Sequence, residues 1–394
     1  MKYIQFRIHL SALTVIGILL FAGFAAAQTI NVSNVDELYS AVNNPANLGA
    51  TIVLSPGVYM LSPTDQNTAP RPNKGRIDLL ESMSLIGVAG DRSAVIIDAG
   101  NLPASSFTGS QGPIAAVRLG RGSNSLQWLT VRNAINGQAN IDSGLQMPGV
   151  AYVTVAHVDS YGSARGLNLL NFGPGSSGET IEAELTDNDF HDNVLGVGEG
   201  ARVGNFQGAV GSTVNARIVG NRFWGNQQGR LLVNNRAVNS TVNVYSEGNR
   251  FFANGGGAIV IGGLSSNATA ANGNTVNLEA HGDQFLDNNA NTPFDVGGLI
   301  IVGGENTSIP NGTNNNTVNV SLWGCRMSGN NTSDLLGVGA RSTPNSIGSP
   351  GVNNNVTITI HGAGKGSGRW QPVEFFADSL PFDADTTNSV TVVR

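Results

Sequence analysis

A solenoid of stacked parallel β-coils is the all-β fold this sequence predicts, and three observations predict it. First, one six-residue segment returns five times: Asn-Asp-Phe-His-Asp-Asn at 188–193, Asn-Arg-Phe-Trp-Gly-Asn at 221–226, Asn-Arg-Phe-Phe-Ala-Asn at 249–254, Asp-Gln-Phe-Leu-Asp-Asn at 283–288 and Cys-Arg-Met-Ser-Gly-Asn at 325–330. Second, each copy follows a short alternating run: TIEAEL, TVNARI, TVNVYS, TVNLEA and TVNVSL. Third, the copies start 28 to 42 residues apart, the spacing of coils that each stack on their neighbours.

The chain begins with Lys2 and Arg7, an apolar run over 10–24 and then Ala25-Ala26-Ala27. A basic start, a hydrophobic stretch and a small-residue exit read as a secretory signal over 1–27, cut before Gln28. The run is short for a span of about 20 apolar residues, and no later segment has that length, so a secreted protein with no membrane span after cleavage is expected. Loss of Lys2 and Arg7 moves the formal charge from −6 to −8, which argues against a nucleic-acid partner. Cys325 is the single cysteine; it excludes an internal disulfide and a cysteine-rich metal site. Charged residues make up 12% of the chain against 52 Gly and 46 Asn. Asn and Gly tolerate left-handed backbone, so tight corners account for their abundance. The recurring Val, Ile and Leu supply a core that a disordered chain would lack.

The remaining 28–394 read as one domain, with 28–60 as an N-terminal cap and first coil. Ser33 and Asp36 have capping-box spacing, and Leu38, Ala41 and Val42 give a helical apolar stripe, so a helix is expected over 34–43. A strand over 51–54, a Pro56-Gly57 turn and Val58-Tyr59-Met60 follow. Asp36-Glu37-Leu38, Ala41-Val42 and Thr51 through Tyr59 together resemble the start of right-handed parallel β-helix proteins of the pectin-lyase-like superfamily. The resemblance implies a helix that plugs the first coil and blunts its open strand edge. Residues 61–76 and 101–113 read as loops. Strands are expected at 79–87, 94–99, 115–119, 126–131 and 152–158, giving roughly nine to eleven coils in all.

From 181 onward the register can be assigned. Val153, Ile181, Val214, Val242, Val276, Val318 and Val356 are aligned as position zero. Side chains alternate faces along a strand, so positions zero, two and four point inward. Position nine (Phe190, Phe223, Phe251, Phe285, Met327) predicts an internal aromatic stack. Position twelve (Asn193, Asn226, Asn254, Asn288, Asn330) predicts an amide ladder from coil to coil. Second strands are expected at 231–233, 258–261, 299–302 and 335–338. The polar connections 265–273, 305–316 and 342–355 are expected on one side of the solenoid. They hold Asn-x-Ser/Thr triplets at Asn267, Asn306 and Asn311, which an Asn-rich chain produces by chance. Residues 370–394 depart from the repeat and are expected to close the C-terminal end, with a last strand at 389–393.

Three outward rows carry the candidate chemistry. Position three gives Ala156, Glu184, Arg217, Tyr245, Glu279 and Ser321. Position five gives Val158, Thr186, Val219, Glu247, His281, Trp323 and His361. Carboxylates beside aromatic platforms suit a polysaccharide, and Glu184, Tyr245, Glu247, His281 and Trp323 are the substrate-binding candidates here. The plainer reading is a solvated face with cross-strand pairs such as Glu184–Arg217. Position eight gives Tyr161, Asp189, Arg222, Arg250, Gln284 and Arg326; Arg222 and Arg250 could grip a carboxylated glycan or simply hold turn carbonyls. The densest polar cluster is Asp187, Asp189, His191 and Asp192, with His157 and Asp159 one coil earlier. Asp187, Asp189 and Asp192 could bind Ca2+, although no cofactor is required. Alternatively Asp187, Asp189 and His191, with Arg217, could supply acid–base chemistry between carboxyls about 5–9 Å apart. An exposed polar turn is the third reading.

The resemblance implies a fold rather than an activity. Polygalacturonase-like hydrolases carry Asn-Thr-Asp, Asp-Asp, Gly-His-Gly and Arg-Ile-Lys, whereas this chain has Ala280-His281-Gly282, Arg217-Ile218-Val219 and no Asp-Asp pair. Pectate-lyase-like Trp-x-Asp-His and Arg-x-Pro-x-x-Arg are missing. Alginate-lyase-like relatives use a Lys and Arg pair, and after residue 27 only Lys74 and Lys365 remain. The expectation is therefore a secreted, non-catalytic β-helix that binds glycan or partners at the cell surface or outside the cell. The alternative is a polysaccharide lyase or glycoside hydrolase.

Overall fold

The structure is a computed structural model. It describes residues 28–394 except 109–114, 145–148, 173, 229–230, 266–269, 290–296, 307–311, 332–333, 343–350, 362–372 and 379–386. The expected signal over 1–27, Asn267, Asn311, Lys365 and, within 370–381, residues 370–372 and 379–381 lie outside the described residues. Among those described, the strands form three all-parallel sheets of twelve, ten and nine strands. Each turn of the chain contributes one strand to each sheet, so the fold is a right-handed parallel β-helix, as expected. The long sheet holds the seven-residue strands Thr180–Thr186, Thr213–Val219, Thr241–Glu247, Thr275–His281 and Thr317–Trp323. The short-strand sheet holds Asp189–His191, Arg222–Trp224, Arg250–Phe252 and their stacked equivalents. The third sheet holds Leu231–Asn235, Ala258–Ser265, Leu299–Asn306 and Leu335–Ser342, longer than the runs expected. No helix among the described residues is long and apolar enough to cross a membrane.

The N-terminal helix spans Val35–Val42, but its cap is Asn34 rather than Ser33. The Asn34 side chain accepts from the Glu37 amide at 2.9 Å, and the Glu37 carboxylate accepts from the Ser33 amide at 2.7 Å. The capping-box spacing is therefore Asn34 to Glu37, one residue later than read. A strand not foreseen, Thr29–Val32, pairs with Thr51–Leu54 and starts the long sheet. The expected strand at 126–131 is two strands, Ser123–Gln127 and Thr130–Arg132, broken at Trp128, whose φ is 56°.

The register from 181 onward is as expected: Ile181, Val214, Val242, Val276, Val318 and Val356 stand in one row. Val153 is two residues out, because Ala151 is the partner of Ile181. Thr154, not Ala156, therefore stands at position three; Ala156, not Val158, at position five; and Asp159, not Tyr161, at position eight beside Asp189. A slip of two keeps every side chain on its face, so alternation alone could not detect it.

The interior is apolar and layered. Phe190, Phe223, Phe251 and Phe285 stack with ring centroids 5.3, 4.7 and 4.7 Å apart, each burial contributing about 1.5–3 kcal/mol. The position-twelve ladder is present: Asn226 Oδ1 accepts from the Asn193 backbone amide at 3.1 Å, and Asn254 Oδ1 does so from Asn226. Two further ladders were not read from the sequence. One is position seven, Asn188–Asn221–Asn249–Asp283, which ends at Cys325. The other runs through Ser212, Ser240, Asn274, Asn316, Asn354 and Asn388, just before the long-sheet strands. These side chains satisfy turn amides that the coil corners would otherwise bury unpaired.

Candidate functional site

Alternation in the long sheet sends positions one, three and five to the outer face. Position one, which the sequence reading passed over, carries Glu182, Asn215, Asn243, Asn277 and Asn319 in register. The Asn215 amide donates to Glu182 at 2.7 Å, Asn243 to Asn215 at 2.7 Å, Asn277 to Asn243 at 2.8 Å and Asn319 to Asn277 at 2.9 Å. Each amide thus uses one of its two N–H donors in the lane. A groove of about 490 Å³ lies along this lane, lined also by Arg217, Tyr245, Glu279 and Ser321.

Charges flank the lane. Arg217 bridges Glu184 at 3.4 Å and Glu247 at 3.7 Å, which realises the cross-strand pair expected for a solvated face. The Tyr245 hydroxyl donates to Glu247 at 3.1 Å. Desolvation first and the Glu247 carboxylate second push the Tyr245 phenol up from 10, so it is held as a hydrogen-bond donor and not poised as a base. His281 Nε2 lies 2.7 Å from Glu279.

The aromatic rows do not present open platforms. Trp323 is stacked between His281, at 5.8 Å, and His361, at 3.5 Å, with planes within 8°. Arg217 lies over the Tyr245 ring at 5.6 Å. Stacking in register covers the ring faces of Trp323, and Arg217 lies over one face of Tyr245.

The Asp187 cluster is a separate patch at the corner between the long and short-strand sheets. Asp187 has a φ of 51°, a left-handed corner where later coils place Gly220, Gly248, Gly282 and Gly324. Its carboxylate is shared between Arg92 at 3.2 Å and His157 at 2.8 Å. Asp189 accepts from Nε and Nη2 of Arg222, one to each carboxylate oxygen, and pairs with Arg92 at 3.3 Å. His191 is sandwiched between Tyr161 and Trp224, its ring nitrogens 2.7 Å from Asp159 and 2.8 Å from Asp192. The candidate set of Asp187, Asp189, His191 and Arg217 is therefore not brought together, because Arg217 points into the groove. Nor do Asp187, Asp189 and Asp192 converge on one cation: two are bridged by Arg92 and the third faces His191. Among the described residues no group of three or more His, Cys, Asp or Glu is arranged to hold a metal ion.

Arg222 and Arg250 also differ from the expectation. Arg222 is engaged by Asp189, and Arg250 lies over Phe252 at 5.3 Å. Asn306 is buried and accepts from the Ser265 hydroxyl at 2.9 Å, which withholds it from glycosylation in the folded chain. The Cys325 thiol is buried and pushed up to about 12 by desolvation, so it is inert.

No protein-family model matches this chain, and no curated protein matches it in sequence. Solved structures similar to it include the A-module of the Azotobacter vinelandii mannuronan C-5 epimerase AlgE4, at 11% identity and a TM-score of 0.43, over 92% of this chain and 100% of the other. The AlgE6 A-module from the same organism aligns at 13% identity and a TM-score of 0.39, over 88% and 95%.

Proposed function

We propose that this protein is an exported, non-catalytic β-helix that binds an extended polysaccharide along the long-sheet groove. The observation that carries the reading is the continuous amide lane Asn215–Asn243–Asn277–Asn319 at the floor of that groove. A row of equivalent donors and acceptors at about 4.8 Å intervals suits a polymer of repeated hydroxyls. Against catalysis stand the ion-paired carboxylates at the corner, the raised Tyr245 phenol and the Arg217 guanidinium already held between two carboxylates. No cofactor is needed for such binding.

Electrophoresis through gels containing single polysaccharides, alongside assays for reducing ends and unsaturated products, tests this. Retention without product is expected, weakened about tenfold in an Asn243→Leu/Asn277→Leu double variant. Turnover that disappears in Arg217→Ala would replace the reading with a lyase or hydrolase acting in the same groove.

A further inference from the structure

The charges around the groove select among polysaccharides. Along the described long-sheet strands, the outward positions hold four carboxylates, Glu182, Glu184, Glu247 and Glu279, and one guanidinium, Arg217. They hold no lysine. With neutral histidines the face carries a formal charge of −3. Arg217 answers Glu184 and Glu247. Glu182 has no ion pair among the described residues and accepts only from Asn215; Glu279 meets only His281. These two carboxylates line the groove itself, Glu182 at the start of the amide lane and Glu279 beside it on the strand of Asn277. They stand three strand steps apart, each step about 4.8 Å.

We infer that the groove takes a polysaccharide bearing protonated amino groups, a partly N-deacetylated amino-sugar polymer in chemical class. This rests on the groove being the binding site. An ammonium group brings three donors and a charge to Glu182, which has no ion pair among the described residues, and to Glu279, which has only His281, while hydroxyls of the same chain meet the Asn amides. A polyuronate would set its own carboxylates against Glu182 and Glu279, a like-charge juxtaposition that costs affinity.

The test is calorimetric titration of the whole chain with three oligosaccharides. These are a partly N-deacetylated chitin oligomer, the same oligomer after full re-N-acetylation, and a polyuronate oligomer. The cationic form is expected to bind about tenfold or more tightly than its re-acetylated twin, with the advantage shrinking as salt rises. Glu182→Gln/Glu279→Gln keeps the acceptors but removes the charge; it is expected to cost the cationic ligand about tenfold and the re-acetylated one less than about twofold. Equal binding of the two forms, or tighter binding of the polyuronate, overturns the inference and leaves a glycan-binding groove standing. Failure of all three to bind removes that reading as well.

Discussion

The side-chain amide of Asn226 donates to the backbone carbonyl of Phe190, one coil earlier, at 2.9 Å. Its oxygen accepts from both the backbone and the side-chain amide of Asn193 at 3.1 and 3.0 Å. One buried side chain therefore closes the corner of two coils. Asn226→Leu leaves the Asn193 backbone amide buried without its acceptor and strips one of the hydrogen bonds from the Phe190 carbonyl; it is expected to cost about 2–3 kcal/mol in urea unfolding. Asn243→Leu, on the outer lane, is expected to cost under about 1 kcal/mol. Equal losses would show that the inner ladder has no special weight.

Asp283 occupies the position-seven slot that Asn188, Asn221 and Asn249 fill in earlier coils. Desolvation pushes its carboxyl up to about 6, against the hydrogen bonds from Ser246 and Asn249 that pull it down. A folded-state pKa above the unfolded value means stability that is complete below about 3.8 and is lost as pH rises through about 6. Asp283→Asn keeps the acceptor for the Asn249 amide and has no charge to bury. The variant is expected to be more stable than the parent at pH 8 and equal to it near pH 4. A parent advantage at pH 8 would refute the account.

His191 is also raised, but here it is the charged form that the fold favours. Burial alone would lower the imidazole pKa, but hydrogen bonds donated by the ring to the Asp159 and Asp192 carboxylates, with their charges, raise it above 6.5 overall. The imidazolium contribution to stability is complete below about 6.5 and fades as pH passes the raised folded value. NMR titration of the ring proton is expected to give a midpoint above 6.5, and Asp159→Asn to bring it down. A midpoint at or below 6.5 in the parent would contradict the geometry.

Position eleven is left-handed in coil after coil: Asn133, Gly162, Asp192, Gly225, Ala253, Asp287 and Gly329 have φ between 47° and 72°. Ala253 is the one whose side chain offers nothing in return. Ala253→Gly is expected to stabilise by about 0.5–1 kcal/mol, and Gly248→Ala, at φ 64° in open space, to destabilise by a similar amount. Thermal midpoints of the pair decide it; shifts in the same direction would rule out a backbone cause.

Register was legible wherever the repeat kept its signature. Thr-Val-Asn in TVNARI, TVNVYS, TVNLEA and TVNVSL, followed at constant offset by Phe (Met327 in the last) and Asn, leaves one alignment. The coil of Val153 lacks both markers: Ser160 stands where its successors have Phe and Ser163 where they have Asn. The fate of the Asp187 cluster was not legible. Arg92, which bridges Asp187 and Asp189, lies 95 residues before Asp187, and nothing local points to it. Asn215 and its successors lie in the alternating runs, yet the preference of Asn for turns accounts for the abundance of Asn and hides them. Only the pleat shows them as a continuous outward lane.

The shared register makes the coils interchangeable parts. Removing 214–241 would join Thr213 to Val242 and bring Phe251 over Phe190, Asn254 over Asn193 and Arg250 opposite Asp189, each replacing a residue of the same kind. The lane would lose a single amide and keep its course. Groove length in this architecture is therefore a count of coils, set by duplication or excision of a genetic unit and adjustable without redesigning any joint.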